Sequence, residues 1–202
     1  MTIRLLLADD QALVRGALSA LLSLEPDLEV VAEVGDGPSV LPAVLASKPD
    51  VALLDVEMPG LDGISATAAV RAESPSTGVL IVTTFGRPGY LRRTLQAGAD
   101  GFVVKDTPAR QLADAVRRVH AGLRVVDPVL AADSLVSGDS PLTGRESDVL
   151  RASRAGASVA AIARELFLSE GTVRNHLSSA IGKTAASNRA EAARIADQNG
   201  WL

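Results

Sequence analysis

Short apolar runs alternate with longer amphipathic segments along the first 125 or so residues. Each apolar run is nearly continuous, which is typical of a β-strand covered on both faces. Between these runs, apolar positions recur at helical spacing. The pattern predicts strands at residues 3–8, 28–34, 51–54, 79–84 and 101–104, and helices near residues 11–23, 37–47, 62–73, 88–97 and 108–121. Five strand–helix units in strict alternation predict a doubly wound, five-stranded parallel α/β sheet.

The strand pattern ends near residue 122 and is replaced by an all-helical pattern. We interpret residues 122–140, which hold scattered apolar positions among glycine, proline and aspartate, as a linker. Thr143 and Glu146 have the spacing of a capping box. Further helix N-caps are predicted at Ser158, Ser169 and Ser187. The predicted organisation is an α/β domain over 1–121, a linker over 122–140 and a four-helix domain over 141–202.

Composition and charge exclude several classes of site. The 202 residues are 47% hydrophobic and carry a net charge of −4, so binding to nucleic acid would need a local basic face. The absence of cysteine excludes disulfide frameworks, thiol catalysis and zinc–thiolate sites. His120 and His176 lie far apart in the sequence, which argues against a paired-histidine metal site. The apolar run at the start is too short for a signal peptide, and no stretch has the roughly 18–20 apolar residues of a membrane span. We therefore expect a cytoplasmic protein without membrane insertion.

Acidic residues directly follow two of the predicted strands. Asp9 and Asp10 come after the first strand, and Asp55 comes after the third. Ligand sites in open parallel sheets form at the carboxyl ends of strands, where the strand order switches direction. If the first and third strands are neighbours, the three carboxylates converge, and a hard cation such as Mg²⁺ would offset their repulsion. On these residues alone, the alternative that the aspartates only cap a helix and a turn stays equally open.

The fourth and fifth predicted strands end on further polar groups. Thr83 lies at the end of the fourth strand, and Lys105 follows the fifth, which contains Phe102. A nucleophilic carboxylate, a metal ion, a hydroxyl group and an ammonium group are what phosphoryl transfer onto aspartate requires. The residues at these strand ends therefore favour a phosphoryl-acceptor site.

Four motifs of this half of the chain closely resemble the receiver domain of two-component response regulators, which has a flavodoxin-like fold. They are LLLADD (5–10), LLDVEMPGLDG (53–63), IVTTF (81–85) and GFVVKD (101–106). The resemblance implies that Asp55 accepts a phosphoryl group from a sensor histidine kinase. It also implies that Asp10, Asp55 and the backbone carbonyl of Glu57 bind Mg²⁺, with Asp9 acting through the water shell of the metal.

The same resemblance implies roles for the other strand-end residues. Lys105 and Thr83 would contact the phosphoryl oxygens, and Thr83 and Phe102 would form a switch pair in which the aromatic ring turns inward. Phe85 is a bulky residue at a position that is often polar, so we expect slow self-dephosphorylation and no other enzymatic activity. The stretch TTFGRPGY (83–90) is similar to regulators of membrane-lipid desaturation.

The helical segment contains a candidate nucleic-acid interface. Residues 158–167 and 170–183 predict two helices joined by a short turn, and residues 141–202 carry eight basic and six acidic side chains. Val173, Leu177 and Ile181 recur every four positions and are predicted to face inward. Arginine and asparagine on the opposite face can make bidentate contacts with base edges. On the pattern alone, a plain helical bundle with a solvated polar face is the somewhat better interpretation.

The sequence PLTGRESDVLRASRAGASVAAIARELFLSEGTVRNHL is similar to the helix-turn-helix domain of the NarL/FixJ (LuxR-type) family, and the similarity spans residues 141–200. It implies that residues 168–183 contain the recognition helix and that His176 packs or caps locally. The DNA contacts that we predict from it are Thr172, Arg174, Asn175, Ser178 and Lys183.

Together these resemblances predict a transcription factor that is phosphorylated by a sensor histidine kinase, forms a homodimer and binds promoter DNA. Apolar runs on the first helix (Leu13, Ala17, Ala20, Leu21) and the fifth (Leu112, Val116, Val119) could form the dimer, although we expect most of them to bury against the sheet. Two alternatives stay open: a phosphatase on a similar sheet, and a DNA binder that does not depend on phosphorylation.

Overall fold

A parallel β-sheet forms the first of two units in the computed structural model, which describes residues 2–84, 88–126, 131, 140–154 and 156–202. The strands are β1 (Ile3–Ala8), β2 (Leu28–Val34), β3 (Val51–Leu54), β4 (Gly78–Thr83), β5 (Gly101–Val104) and β6 (Val125–Val126). The helices are α1 (Ala12–Leu22), α2 (Val40–Ser47), α3 (Gly63–Glu73), α4 (Pro88–Gln96) and α5 (Ala109–His120). The strand order is β2-β1-β3-β4-β5-β6, and each neighbouring pair is parallel. This arrangement confirms the predicted doubly wound class.

Strand positions follow the sequence pattern closely. The bounds of β1, β2, β3 and β5 are those predicted, and β4 begins and ends one residue earlier. Strand β3 is buried along its whole length, and β4 is buried except for the half-buried Gly78 at its start, as the continuous apolar runs require. One face of the sheet packs against α5 through Leu112, Val116 and Val119.

The number of strands and the start of the linker differ from the prediction. The described residues form six strands rather than five, because Val125 and Val126 lie within the predicted linker and pair with Gly101 and Phe102 of β5. The backbone N–H of Val125 also donates to the carbonyl of Asp100 at 2.9 Å. Two residues are too few to show a strand period, so the pairing comes from the exposed edge of β5 rather than from a sequence pattern. Residues 127–130 and 132–139 of the predicted linker lie outside the described residues.

Helix α1 packs differently from our expectation. Leu13 is 86% exposed, Leu24, two residues past the end of the helix, is 79% exposed, and Ala17, Ala20 and Leu21 are also exposed. The prediction that most of this apolar run buries against the sheet is therefore wrong for α1, which packs through Leu18 and Leu22 instead. For the α5 run the prediction is confirmed, since Leu112, Val116 and Val119 are all buried.

The second unit contains α6 (Gly144–Ser153), α7 (Val159–Glu165), α8 (Glu170–Lys183) and α9 (Arg189–Gln198). The capping box of Thr143 and Glu146 is present, and Ser158 and Ser169 cap α7 and α8. The prediction that Ser187 caps α9 is wrong. Asn188 has the extended backbone of an N-cap and accepts hydrogen bonds from the first turn, whereas Ser187 binds the side chain of Glu191.

Candidate functional site

Three carboxylates meet where β1 and β3 end. One carboxylate oxygen from each of Asp9, Asp10 and Asp55 lies within 4.8 Å of the others. The strands are neighbours with Ala8 opposite Leu54, so the residues that follow them lie side by side. Asp9 and Asp55 are buried, and Asp10 is exposed. The structure therefore brings together the three acids that the sequence singled out, at the point where the strand order switches.

Lys105, which follows β5, contacts this cluster at the same edge of the sheet. Its Nζ lies 2.7 Å from Oδ2 of Asp9 and 2.8 Å from Oδ2 of Asp55. The backbone N–H of Lys105 donates to the carbonyl of Thr83 at 2.8 Å, which fixes the lysine beside the end of β4. We call Asp9, Asp10, Asp55 and Lys105 the acidic site.

Burial and charge act against each other in the acidic site. Burial raises the pKa of the Asp55 carboxyl above its ordinary value, against the hydrogen bond from Lys105, and the nearby charge of Asp9 adds to the rise. Desolvation acts to lower the pKa of Lys105, but the two carboxylates outweigh it and raise that pKa. Lys105 therefore stays charged, and its single ammonium contacts the carboxylates of both Asp9 and Asp55.

The donor set fits a hard divalent cation. Oδ1 of Asp9 accepts from the backbone N–H of Gln11 at 2.9 Å, and Oδ1 of Asp55 accepts from that of Val56 at 2.7 Å. These bonds orient the two buried carboxylates and leave lone pairs on them, and Mg²⁺ prefers carboxylate and carbonyl oxygens of this kind. The side chain of Glu57 is exposed, so its predicted role depends on the backbone carbonyl alone.

Thr83 and Phe102 lie on neighbouring strands. Phe102 pairs with Ile81, two residues before Thr83, so both side chains point to the same face of the sheet. Thr83 is the last residue of β4 and is buried at the edge that carries the acidic site. Phe102 is fully buried, so its ring occupies the inward position in this structure.

Sequence reasoning missed Gly63, the first residue of α3. Its N–H donates to the carbonyl of Val56, and a Cβ atom on Gly63 would lie 1.9 Å from the carbonyl oxygen of Asp55. Only glycine therefore lets α3 begin this close to the backbone of Asp55. The available signal was the Asp62-Gly63 pair, in which Asp62 caps α3.

The predicted DNA-contacting residues lie on α8. Ser169 caps the helix, and Val173 and Leu177 bury one side of it. The residues predicted to contact bases or phosphates differ in exposure: Arg174, Asn175, Ser178 and Lys183 are exposed, and Thr172 is half-buried. The structure thus places a polar face along α8, opposite its buried side.

Two of these predicted contacts already have partners within the chain. Arg174 forms an exposed ion pair with Glu170 at 2.6 Å, one turn earlier on the same helix. Nζ of Lys183 lies 2.7 Å and 3.0 Å from the two carboxylate oxygens of Glu146, which is buried. The sequence pattern predicted the capping role of Glu146 but not this second contact.

Comparison with known proteins identifies both halves of the chain. The response regulator receiver domain matches residues 5–117, and the luxR family of bacterial regulatory proteins matches residues 140–196. The chain belongs to the LuxR-type response regulators. The relatives named in the next paragraph are transcriptional regulators, and this excludes the alternative that the chain is a phosphatase.

Similar response regulators match along nearly the whole chain. The uncharacterized transcriptional regulatory protein YvfU of Bacillus subtilis is 42% identical over 200 residues, which cover 99% of this chain and 100% of YvfU. The transcriptional regulatory protein DesR of the same organism is 40% identical over 99% of both chains, well beyond residues 83–90. The crystal structure of the response regulator ChrA, of a heme-sensing two-component system, is 34% identical with a TM-score of 0.59, covering 100% of this chain and 99% of that one.

Two predictions concern features beyond these sites. In the part of the chain that the structure describes, no helix is both long and apolar enough to cross a membrane. Phe85 lies outside the described residues, so slow self-dephosphorylation of this response regulator stays a prediction.

Proposed function

We propose that this response regulator is a cytoplasmic transcription factor in which Asp55 accepts a phosphoryl group from a sensor histidine kinase. The observation that carries the proposal is the acidic site, where Lys105 joins Asp9 and Asp55 from different strands at the carboxyl edge of the sheet. Phosphorylation would favour a homodimer that binds promoter DNA through α8. We propose that the first of these roles belongs to residues 1–126, in which β6 is added to the predicted range 1–121, and that residues 141–202 form the DNA-binding domain.

The chemistry assigns a role to each group at the sheet edge. A carboxylate oxygen of Asp55 attacks phosphorus, an O–P bond forms, and the P–N bond to the kinase histidine breaks. The ammonium of Lys105 and the hydroxyl of Thr83 would bind the phosphoryl oxygens. Asp10, Asp55 and the carbonyl of Glu57, with Asp9 through water, would hold Mg²⁺, which neutralises charge on those oxygens.

Thr83 and Phe102 would report the phosphoryl group to the rest of the domain. Movement of Thr83 toward the phosphoryl oxygens would change the packing on the sheet face that it shares with Phe102. We propose that this pair links the acidic site to the surface that dimerises.

The exposed face of α1 supports a dimer. Leu13 and Leu21 of α1 are 86% and 45% exposed, Leu24 just past the helix is 79% exposed, and Ala17 and Ala20 are also exposed. Contiguous apolar surface of this kind marks an interaction site more often than a free surface. We propose that a second copy of the chain covers this α1 face, and that a dimer then presents two recognition helices to two half-sites.

The first test is phosphorylation by acetyl phosphate with Mg²⁺, followed by measurement of the oligomeric mass. We expect the wild type to be phosphorylated and to dimerise, Asp55→Ala to do neither, and Asp106→Ala, which removes an exposed carboxylate beside Lys105, to behave as the wild type. A phosphorylated monomer would keep Asp55 as the acceptor and exclude dimerisation as the activation step. Failure of the wild type to be phosphorylated would favour the DNA binder that does not depend on phosphorylation.

A further inference from the structure

A buried carboxylate in the second unit joins two helices that are distant in sequence. Glu146 lies in the first turn of α6 and is 4% exposed. Its Oε2 accepts from the backbone N–H of Thr143 at 2.7 Å and from Nζ of Lys183 at 2.7 Å. Its Oε1 accepts from Oγ of Ser179 at 2.7 Å and from the same Nζ at 3.0 Å. The residue that completes the cap of α6 therefore also holds α8.

The two donors on α8 occupy one side of its C-terminal half. Ser179 and Lys183 are four residues apart, so both face Glu146 from successive turns of the helix. Arg174, Asn175 and Ser178 project from the exposed surface of the same 14-residue helix. Because a helix is stiff over this length, the contacts at its C-terminal half also fix the direction of its exposed N-terminal half.

Apolar packing alone would specify the position of α8 less sharply. The buried residues of α8 are Val173, Leu177 and Ala180, and the attraction between such side chains and their neighbours is not directional. A buried carboxylate, in contrast, is stable only if its donors stay in place. Burial acts to raise the pKa of Glu146, but hydrogen bonds from Lys183, Ser179 and Thr143 outweigh it and lower that pKa to about 2. The carboxylate is therefore ionised at neutral pH, and its three partners together outweigh the effect of its burial.

We propose that Glu146 is a positioning residue for DNA recognition, and that Lys183 serves as its ionic partner instead of neutralising a DNA phosphate. The proposal rests on the proposed function of α8 as the recognition helix. It replaces the predicted role of Lys183 as a DNA contact with a role inside the domain.

The charge change in Glu146→Gln separates positioning from simple electrostatics. This variant loses one negative charge next to α8, so it should bind DNA more tightly if charge alone decided the affinity. If Glu146 positions α8, the variant should instead bind a specific DNA site more weakly than the wild type. The probes are a duplex that the wild-type chain selects from a random-sequence pool and an unselected duplex of equal length, both measured with the phosphorylated full-length chain.

For Glu146→Gln we expect the affinity for the selected duplex to fall at least about tenfold, the usual cost of one disturbed base contact, with no loss for the unselected duplex. Glu146→Asp, which keeps the charge but is one methylene shorter, should show the same loss of selectivity. Equal losses for both duplexes would indicate a merely structural role and would overturn the proposal, as would unchanged or increased affinity for the selected duplex. Circular dichroism at the assay temperature confirms that each variant is folded.

Lys183→Gln tests the second half of the proposal. Each lost phosphate contact lowers the slope of log affinity against log salt concentration by about 0.9. We expect the slope for Lys183→Gln to equal that of the wild type, and a decrease of this size for each copy of Lys183 in the dimer would overturn the assignment. If the wild type selects no duplex at all, the proposed DNA-binding function fails together with this inference. If the wild type selects a duplex and the variants bind it as the wild type does, only the inference is overturned.

Discussion

Lys105 joins two acidic residues that come from different strands of the sheet. Its side chain is 11% exposed and contacts both Asp9 and Asp55. Opposite charges attract more strongly in a buried site than in water, so this lysine holds the two carboxylates together before a phosphoryl group arrives. Replacing the ammonium should therefore disturb the acceptor itself as well as the binding of the phosphoryl oxygens.

The corresponding variant is Lys105→Met, which keeps most of the side-chain length but removes the charge. We expect phosphorylation by acetyl phosphate to slow at least about tenfold, because a group that stabilises charge on the phosphoryl oxygens is lost. The rate is measured by separating phosphorylated from unphosphorylated chain over time. Lys48→Met, which changes an exposed lysine, should keep the wild-type rate.

Gly63 shows how closely the backbone packs behind the acceptor. In Gly63→Ala the new methyl group meets the carbonyl of Asp55, a backbone atom that cannot rotate away, so we expect a loss of about 2 kcal/mol or more in the free energy of unfolding. The same change at Gly16, in the middle of α1 with no atom within 4 Å of the new methyl, should instead stabilise the chain by roughly 0.5–1 kcal/mol. Urea denaturation measures both, and a similar effect at the two positions would contradict the packing argument.

The sequence predicted the acids of the site but not the contacts behind them. Asp9, Asp10 and Asp55 follow buried strands directly, so their position depends only on the strand pattern and the strand order. The need for glycine at position 63 and the second contact of Glu146 depend on distances between parts of the chain far apart in sequence. The spacing of residues within one helix or strand gives no information about such distances.

At the scale of the elements, how well a strand could be predicted from the sequence depended on its length. Strands of four or more apolar residues show in the pattern, and four of the five predicted strands have the predicted bounds. Strand β6 is two residues long and exists because β5 offers an unpaired edge. Capping residues show the same limit, since Ser187 and Asn188 both have suitable side chains and only the backbone geometry distinguishes them.

The contact between α6 and α8 should depend on pH. The pKa of Glu146 is lowered from 4.5 to about 2. The ionised carboxylate therefore adds at most about 3 kcal/mol to the free energy of unfolding above pH 4.5, and this contribution is lost as the pH falls from 4.5 toward 2. We expect the difference in unfolding free energy between the wild type and Glu146→Gln to narrow by about 2 kcal/mol from pH 7 to pH 3. Urea denaturation at both pH values measures it. Glu165→Gln, a change to an exposed carboxylate on α7, should show no such narrowing.

At the scale of the whole molecule, the exposed α1 face decides whether two copies associate. We expect Leu13→Lys to be phosphorylated by acetyl phosphate like the wild type but to dimerise at least about tenfold more weakly, because a charge would be buried in an apolar contact. Sedimentation of the phosphorylated chain measures this. Leu45→Lys, which changes a leucine that is 50% exposed on α2, should dimerise normally. Equal weakening by both variants would place the dimer contact elsewhere.

Strand β6 also determines where the first unit can be cut. A fragment that stops at residue 121, the predicted domain boundary, loses Val125 and Val126 and leaves without partners the backbone groups of β5 that pair with β6. Unpaired strand edges pair with other chains, so such a fragment should aggregate whether or not Asp55 is phosphorylated. A fragment that extends past Val126 keeps the edge covered, and its self-association can then be attributed to the phosphoryl group.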